Sequence, residues 1–293
     1  MKVQAVMNVD SVIDFIETHL DGKLSLEAVA NAVNYSKYHM HRMFTNTVGM
    51  TIHDYVLRRQ LTEAAKLLVF SEKPIIEIAF LCGYESQQAF TVAFKSMYKL
   101  PPAEYRQQQE FYPLQLRFEL NRRPATMNFK ESDIQFAQAS DIPSWMKLVH
   151  LVIDGYPHLD EAKYQNELSA CIADKRALIL KDNDTAVGIM AFSYDKASIQ
   201  FLGVHPQYRS CNIPRVFLNK LMQDILPGRE ISFTTYRARD RADTGHRKEM
   251  LSLGFAEREL LVEFGYPTQR FVFSPKIKED LLNDPYQAKQ LEK

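Results

Sequence analysis

Cysteine is scarce in this chain of 293 residues: Cys82, Cys171 and Cys211 are three in number and far apart. That excludes a disulfide framework and leaves no paired spacing for a metal, so no metal site is expected. Net charge is missing as well, because 36 basic residues face 36 acidic ones. A molecule-wide field of either sign is thereby excluded. Any polyanion must be held by a patch local to one face, with modest non-specific affinity. No apolar run is long enough to cross a membrane. The opening MKVQAVMNVDSVIDF also lacks the charged-then-apolar order of a signal peptide. A reducing, cytoplasmic setting without a membrane partner is expected, and the length suits two domains.

What is present is one device written twice, about fifty positions apart. The first copy runs from Leu24 to Phe44 and contains NYSKYHMHRMF; the second runs from Pro74 to Phe94 and contains GYESQQAFTVAF. Each has a short amphipathic helix with a small residue (Ala30, Ala79), then a residue that tolerates a left-handed backbone, Asn34 or Gly83. An aromatic follows (Tyr35, Tyr84), then a serine (Ser36, Ser86) placed to cap a second helix. This is the pattern of a helix-turn-helix in duplicate. Between the copies, Thr51 to Phe70 reads as one continuous helix, with Ile52, Tyr55, Val56, Ala64, Ala65, Leu67 and Leu68 on its apolar face. Eighteen helical residues span roughly 27 Å. A rod of that length suits two reading heads about one DNA turn apart, roughly 34 Å.

Within the second helices, Met40, Met43 and Phe44 correspond to Phe90, Ala93 and Phe94, an apolar stripe at spacings of three and four. The opposite face carries Lys37, Tyr38, His41 and Arg42 in one copy and Gln87, Gln88, Thr91 and Val92 in the other. Arginine binds guanine in bidentate fashion and glutamine does the same for adenine. Arg42, Gln87 and Gln88 are therefore assigned to base edges, with Tyr38, His41 and Thr91 beside them, and Lys37, Lys95 and Lys99 to phosphates. Taken singly, each of these is equally a solvated helix face.

The segments LSLEAVANAVNYSKYHMHRMF, GMTIHDYVLRRQLTEAAKLL, EIAFLCGYESQQAFTVAFK and LPPAEYR give the region from about Asn8 to Gln107 a resemblance to a known family. It resembles the DNA-binding domain of the AraC/XylS family of bacterial transcription regulators, nearest its MarA, SoxS and Rob activators. The resemblance implies double-stranded DNA as partner, read in adjacent major grooves, with RNA polymerase as a second partner and activation as the usual outcome. The subgroup has tryptophan at the position of Tyr38, glutamine at His41 and arginine at Val92, so its operator sequence does not carry over.

The first domain is expected at residues 1–107. A linker at 108–127 follows, in which Leu114, Leu116, Phe118 and Leu120 alternate with Gln115, Arg117 and Glu119. That alternation reads as a half-buried strand or as a packed linker, with a break at Asn121 to Asn128 around Pro124. Residues 128–276 alternate strands and helices, and 277–293 form a polar tail. Strands are expected at Ile134–Ala137, Ala177–Leu180, Ala186–Tyr194, Ser198–Val204 and Ile231–Tyr236, with two more at the end. Helices are expected from Ser140 or Asp141 onward and at Glu161–Asp174, Pro214–Ile225 and Arg247–Leu253. The fold class is α+β in two domains: an all-α double helix-turn-helix bundle and an α/β domain built on a mixed sheet.

The order of these elements, with FLGVHPQYRSCNIPRVFLNKL and LSLGF, resembles the GNAT acyltransferase superfamily. That resemblance implies acetyl-CoA or another acyl-CoA as cofactor, its pyrophosphate held at a helix amino end by Val204, Arg209, Ser210, Cys211, Asn212 and Arg215. The family turn reads Arg/Gln-x-x-Gly-x-Gly/Ala. Here Asn212 stands for the first glycine and Pro214, which has no amide, for the last. The position of the family's proton-donating tyrosine holds Met250, which cannot donate. Tyr208, Tyr236, His246 and Tyr266 remain as alternatives, and no spacing selects among them. Cys211 reads as a nucleophile or as a small loop residue. Tyr266, Pro267, Gln269 and Arg270 read as pocket lining or as a turn between the last strands. The functional expectation is a DNA-binding regulator whose second domain senses an effector; a regulator that still transfers an acyl group to an amine, and a ligand-free scaffold, are the alternatives.

Overall fold

Local chemistry accounts for the helical half of the computed structural model, which describes residues 2–22, 24–120, 128–152, 159–263 and 265–275. After α1 (Lys2–Glu17), Ser25 accepts a hydrogen bond from the Ala28 amide and opens α2 (Leu26–Ala32). Asn34 turns the chain at φ 56°, and Ser36 accepts from the His39 amide to open α3 (Lys37–Val48). Thr51 caps α4 (Ile52–Phe70), the expected rod. The second copy repeats the first: α5 (Ile75–Leu81), a turn at Gly83 with φ 78°, then α6 (Gln87–Tyr98) capped by Ser86. Pro102 begins α7 (Pro102–Gln108), where its missing amide costs nothing.

Each copy has its own core. Met40, Met43, Phe44, Tyr55 and Val9 pack in the first; Phe90, Phe94, Tyr98, Tyr105 and Tyr112 pack in the second. Ala93, expected in the second stripe, is only half-buried.

The alternating segment after α7 is not a strand. Among the described residues it has no neighbouring strand, and its Leu114 and Gln115 backbone groups are met by side chains of α4 instead. Thr62 Oγ1 accepts from the Leu114 and Gln115 amides at 3.1 and 3.2 Å, and Arg59 donates to the Gln115 carbonyl at 3.1 Å. Gln115, expected to face outward, is buried. Tyr112 and Leu114 pack with the second copy and Phe118 with the first, so this segment straps both cores. The break around Pro124 and the polar tail at 277–293 lie outside the described residues.

Among the described residues, the rest is built on a mixed seven-stranded sheet in the order β1-β2-β3-β4-β5-β7-β6. Its strands are β1 (Gln135–Phe136), β2 (Ala177–Asp182), β3 (Thr185–Ser193), β4 (Ser198–Val204), β5 (Ile231–Tyr236), β6 (Ala256–Glu263) and β7 (Tyr266–Phe273). All neighbours are antiparallel except β4 and β5, which pair in parallel at Ser198–Ser232 and Ile199–Phe233 and then part. Helices α8 (Ile142–Val152) and α9 (Glu161–Ala173) cover one face, and α10 (Ile213–Lys220) and α11 (His246–Leu253) the other. Strand β2 therefore buries both sides, Ala177 and Ile179 toward one layer, Leu178 and Leu180 toward the other. The helix expected to reach Ile225 widens into a π-helical turn at Leu221–Ile225. Tyr266, Pro267, Gln269 and Arg270 all lie in β7, correcting the reading of a turn between strands. The Gln269 amide nitrogen donates to the Arg258 and Glu259 carbonyls, where the β6–β7 register shifts.

Candidate nucleic-acid interface

The two capped helices α3 and α6 each bury one stripe and leave the other face to solvent. Tyr38 is 84% exposed and Val92 66%, so neither belongs to a core. Lys37, Arg42, Gln87, Gln88 and Lys95 are exposed beside them; His41 and Thr91 are half-buried at the edge. Arg42 has no hydrogen-bonding partner among the described residues, so its guanidinium is available to a ligand. Lys37 pairs with Glu27 across the turn of its own unit, in solvent. An exposed pair of this kind contributes little and yields readily to a phosphate.

Lys99 is a correction. It follows α6 in the left-handed region, at φ 66°, and its ammonium is withdrawn into an ion pair with Asp240 at 2.7 Å. The side chains are 10% and 2% exposed, so Lys99 does not join the phosphate-facing set. The sequence signal was misleading because Asp240 lies 141 residues away.

The rod is fixed to the first unit by a buried cluster. Arg59 donates to both carboxylate oxygens of Glu17, at 2.8 and 2.7 Å, and the Tyr55 hydroxyl donates to the same group at 2.6 Å. Burial alone would raise the Glu17 pKa; the Arg59 and Tyr55 hydrogen bonds outweigh it and hold the carboxyl below its ordinary range. This bidentate geometry sets α1, and with it the first unit, against α4.

The turn expected to cradle a pyrophosphate is built differently. Asn212 does take the left-handed backbone, at φ 56°. Arg209, however, donates to the Gly49 carbonyl at 3.1 Å, in the helical half. Arg215 donates to the Leu253 and Ser252 carbonyls at the end of α11. Both cations expected to hold the pyrophosphate are thus committed to backbone oxygens, and Pro214 supplies no amide. Val204 and Cys211 are half-buried and Ser210 is exposed. The residues present do not fit an acyl-CoA pyrophosphate.

The proton-donor alternatives do not converge either. Tyr208 is buried and donates to Asp182 at 2.7 Å, Tyr266 bonds Asp240, and His246 lies beside Thr244. Met250 and Tyr236 are buried. His205, which no motif singles out, is also buried. Burial, with the nearby Arg209 charge second, drops its pKa to about 4 and keeps the ring neutral.

Paired, capped helices presented by one rod define a double-headed helix-turn-helix protein. A model of a helix-turn-helix domain family matches residues 29–108. The multiple antibiotic resistance protein MarA of Escherichia coli is 40% identical over 100 residues, which are 34% of this chain and 79% of MarA. The uncharacterized HTH-type transcriptional regulator YbfP of Bacillus subtilis is 43% identical over 98 residues. That match covers a third of either chain, 33% in both cases. Among solved structures, a GNAT-family acetyltransferase from Bacillus cereus is matched over 49% of this chain and 97% of its own, at 17% identity and a TM-score of 0.39. The chain belongs to the AraC/XylS family of DNA-binding transcription regulators. No helix among the described residues is long and apolar enough to cross a membrane.

Proposed function

We propose that this regulator reads two successive major grooves of one duplex, with α3 and α6 as recognition helices, and that its sheet domain adjusts this binding in response to a small molecule. The observation that carries the DNA reading is the repeated exposed face: Tyr38, Arg42, Gln87 and Gln88 project from helices whose other sides are locked into separate cores. Arg42 would take a guanine edge, Gln87 or Gln88 an adenine edge, and Val92 a thymine methyl. Lys37 and Lys95 would hold phosphates, as would the free amides at the amino ends of α3 and α6. RNA polymerase is the further partner that an activator requires.

The sensing reading is supported by a cleft of about 260 Å³ between the two halves, lined by Thr45, Met50, Arg58 and Met97 on one side and by Arg241 and Thr244 on the other. A ligand seated there touches both halves at once, and so has different affinities for different settings of them, which is what coupling demands. Nuclease footprinting on genomic fragments tests the DNA reading: protection of about two helical turns is expected, and absence of any such site removes it. Repeating the binding with metabolite fractions tests sensing. If no fraction changes operator affinity, the sheet domain is a scaffold.

A further inference from the structure

Gly49 and Lys99 hold the same place in the two copies. Each follows its recognition helix directly, in left-handed conformation at φ 75° and 66°, and donates its amide to the carbonyl four residues back. Both positions are gripped by the sheet domain. Arg209 donates to the Gly49 carbonyl, and its side chain occupies the space that a Cβ at Gly49 would need, with Cδ 2.4 Å from that point. Lys99 donates to Asp240 and lies 4.5 Å over the Tyr266 ring, while the Tyr266 hydroxyl bonds the same Asp240 carboxylate. Lysine stands in the second copy where the first has glycine. Its strained backbone is kept because the side chain has a buried partner. Between the two grips, Arg58 of the rod donates to the Ala242 carbonyl at 2.6 Å, and Ala242 is fully buried in the second helical core.

On the recognition helices these contacts fall at the carboxyl ends. Tyr38, Arg42, Gln87 and Gln88 stay exposed. Helix α4 sets the distance between the units, and the segment from Tyr112 to Phe118 joins their cores on one side. The sheet domain adds a second brace, fastened to the ends of both recognition helices. Two linked heads gain from each other only when their geometry permits simultaneous engagement.

We propose that the sheet domain is a clamp, which fixes the rotational setting of α3 against α6 by holding their equivalent left-handed ends through Arg209 and Asp240. This rests on the reading that both helices enter the same duplex. It also deepens the sensing reading, because the cleft lined by Gly49, Arg58, Met97 and Arg241 lies between the two grips. A ligand there acts on the setting and leaves the base-reading faces untouched.

The test uses the full chain and a duplex selected from a random pool by the wild-type protein. Asp240→Asn, Arg209→Met and the double variant are titrated on that duplex, on a duplex keeping one half-site, and on duplexes with base pairs added or removed between the half-sites. The double variant should lose about tenfold on the complete site, stay within roughly twofold on the half-site, and discriminate less among spacings. The retained half-site affinity shows that the variant is folded. Equal factors on complete and half-sites, or no change on either, overturn the clamp. So does a uniform gain with steeper salt dependence, which would mean that Asp240 merely hides a phosphate contact of Lys99. If the wild-type chain selects no duplex, the two-groove reading itself falls.

Discussion

Replacing Arg42 with alanine removes a guanidinium that projects from α3 into solvent and has no hydrogen-bonding partner among the described residues. Its neighbours Met40, Met43 and Phe44 carry the packing of that helix and are unaffected. The folding cost should therefore stay within about 0.5 kcal/mol, as for surface positions away from caps and networks. Binding is different. A bidentate arginine–guanine contact is worth about 1–3 kcal/mol of discrimination, or roughly a 5- to 150-fold rise in Kd. That loss should appear for the selected operator and vanish for duplexes already altered at the one base pair Arg42 reads. Fluorescence anisotropy on the operator and its single-base variants measures this directly. Lys95→Ala provides the contrast: it should weaken every duplex alike and reduce the salt slope by about 1. If Arg42→Ala loses affinity equally on all sequences, or lowers the melting temperature along with it, the base-reading assignment is wrong.

Three further expectations concern the frame that holds these helices. Glu17→Ala removes the bidentate partner of Arg59, whose side chain is 9% exposed, and leaves it Glu63 and the Gln115 carbonyl, each at 3.1 Å; the loss should be about 1.5–3 kcal/mol in denaturant titrations followed by circular dichroism, and one below about 0.5 kcal/mol would contradict the buried-pair account. Thr62→Val keeps the side-chain shape but orphans the buried Leu114 and Gln115 amides, at about 1–3 kcal/mol each, and should speed hydrogen exchange at both. Unchanged protection there would show that the strap holds without Thr62. His205 is neutral in the fold with a pKa of about 4, against about 6.5 when unfolded, so its contribution is complete above pH 6.5 and is lost as the pH falls toward 4. Stability of the sheet domain, read from Trp145, should drop by something on the order of 3 kcal/mol over that window, and His205→Gln should flatten the profile. Identical profiles for both proteins would refute this.

The helical half was legible because its determinants are short-range. Serine caps at Ser36 and Ser86, left-handed turns at Asn34 and Gly83, and stripes at spacings of three and four each act within a few residues. The centre of the mixed sheet was legible for a similar reason, since β2 and β3 appear as apolar runs with a turn between them. The segment from Leu114 to Leu120 was not. An alternating pattern states that alternate side chains are buried, and it is silent about what buries them. Here the partner is the side of a helix, so backbone groups that a strand would pair are met by Thr62 and Arg59.

What this sequence determined by itself is a pair of capped helices with open polar faces on a stiff rod, because such helices are specified by neighbours in the chain. What only the tertiary structure decided is the employment of Lys99, Arg209, Arg215 and Asp240. A charged side chain carries no mark of its partner, and these four found theirs at distances from 37 to 160 residues along the chain. Folding brought an expected phosphate ligand and two expected cofactor ligands to carboxylate and carbonyl oxygens instead. For Lys99 and Asp240, whose side chains are buried, charge set against opposite charge is far cheaper than charge buried alone.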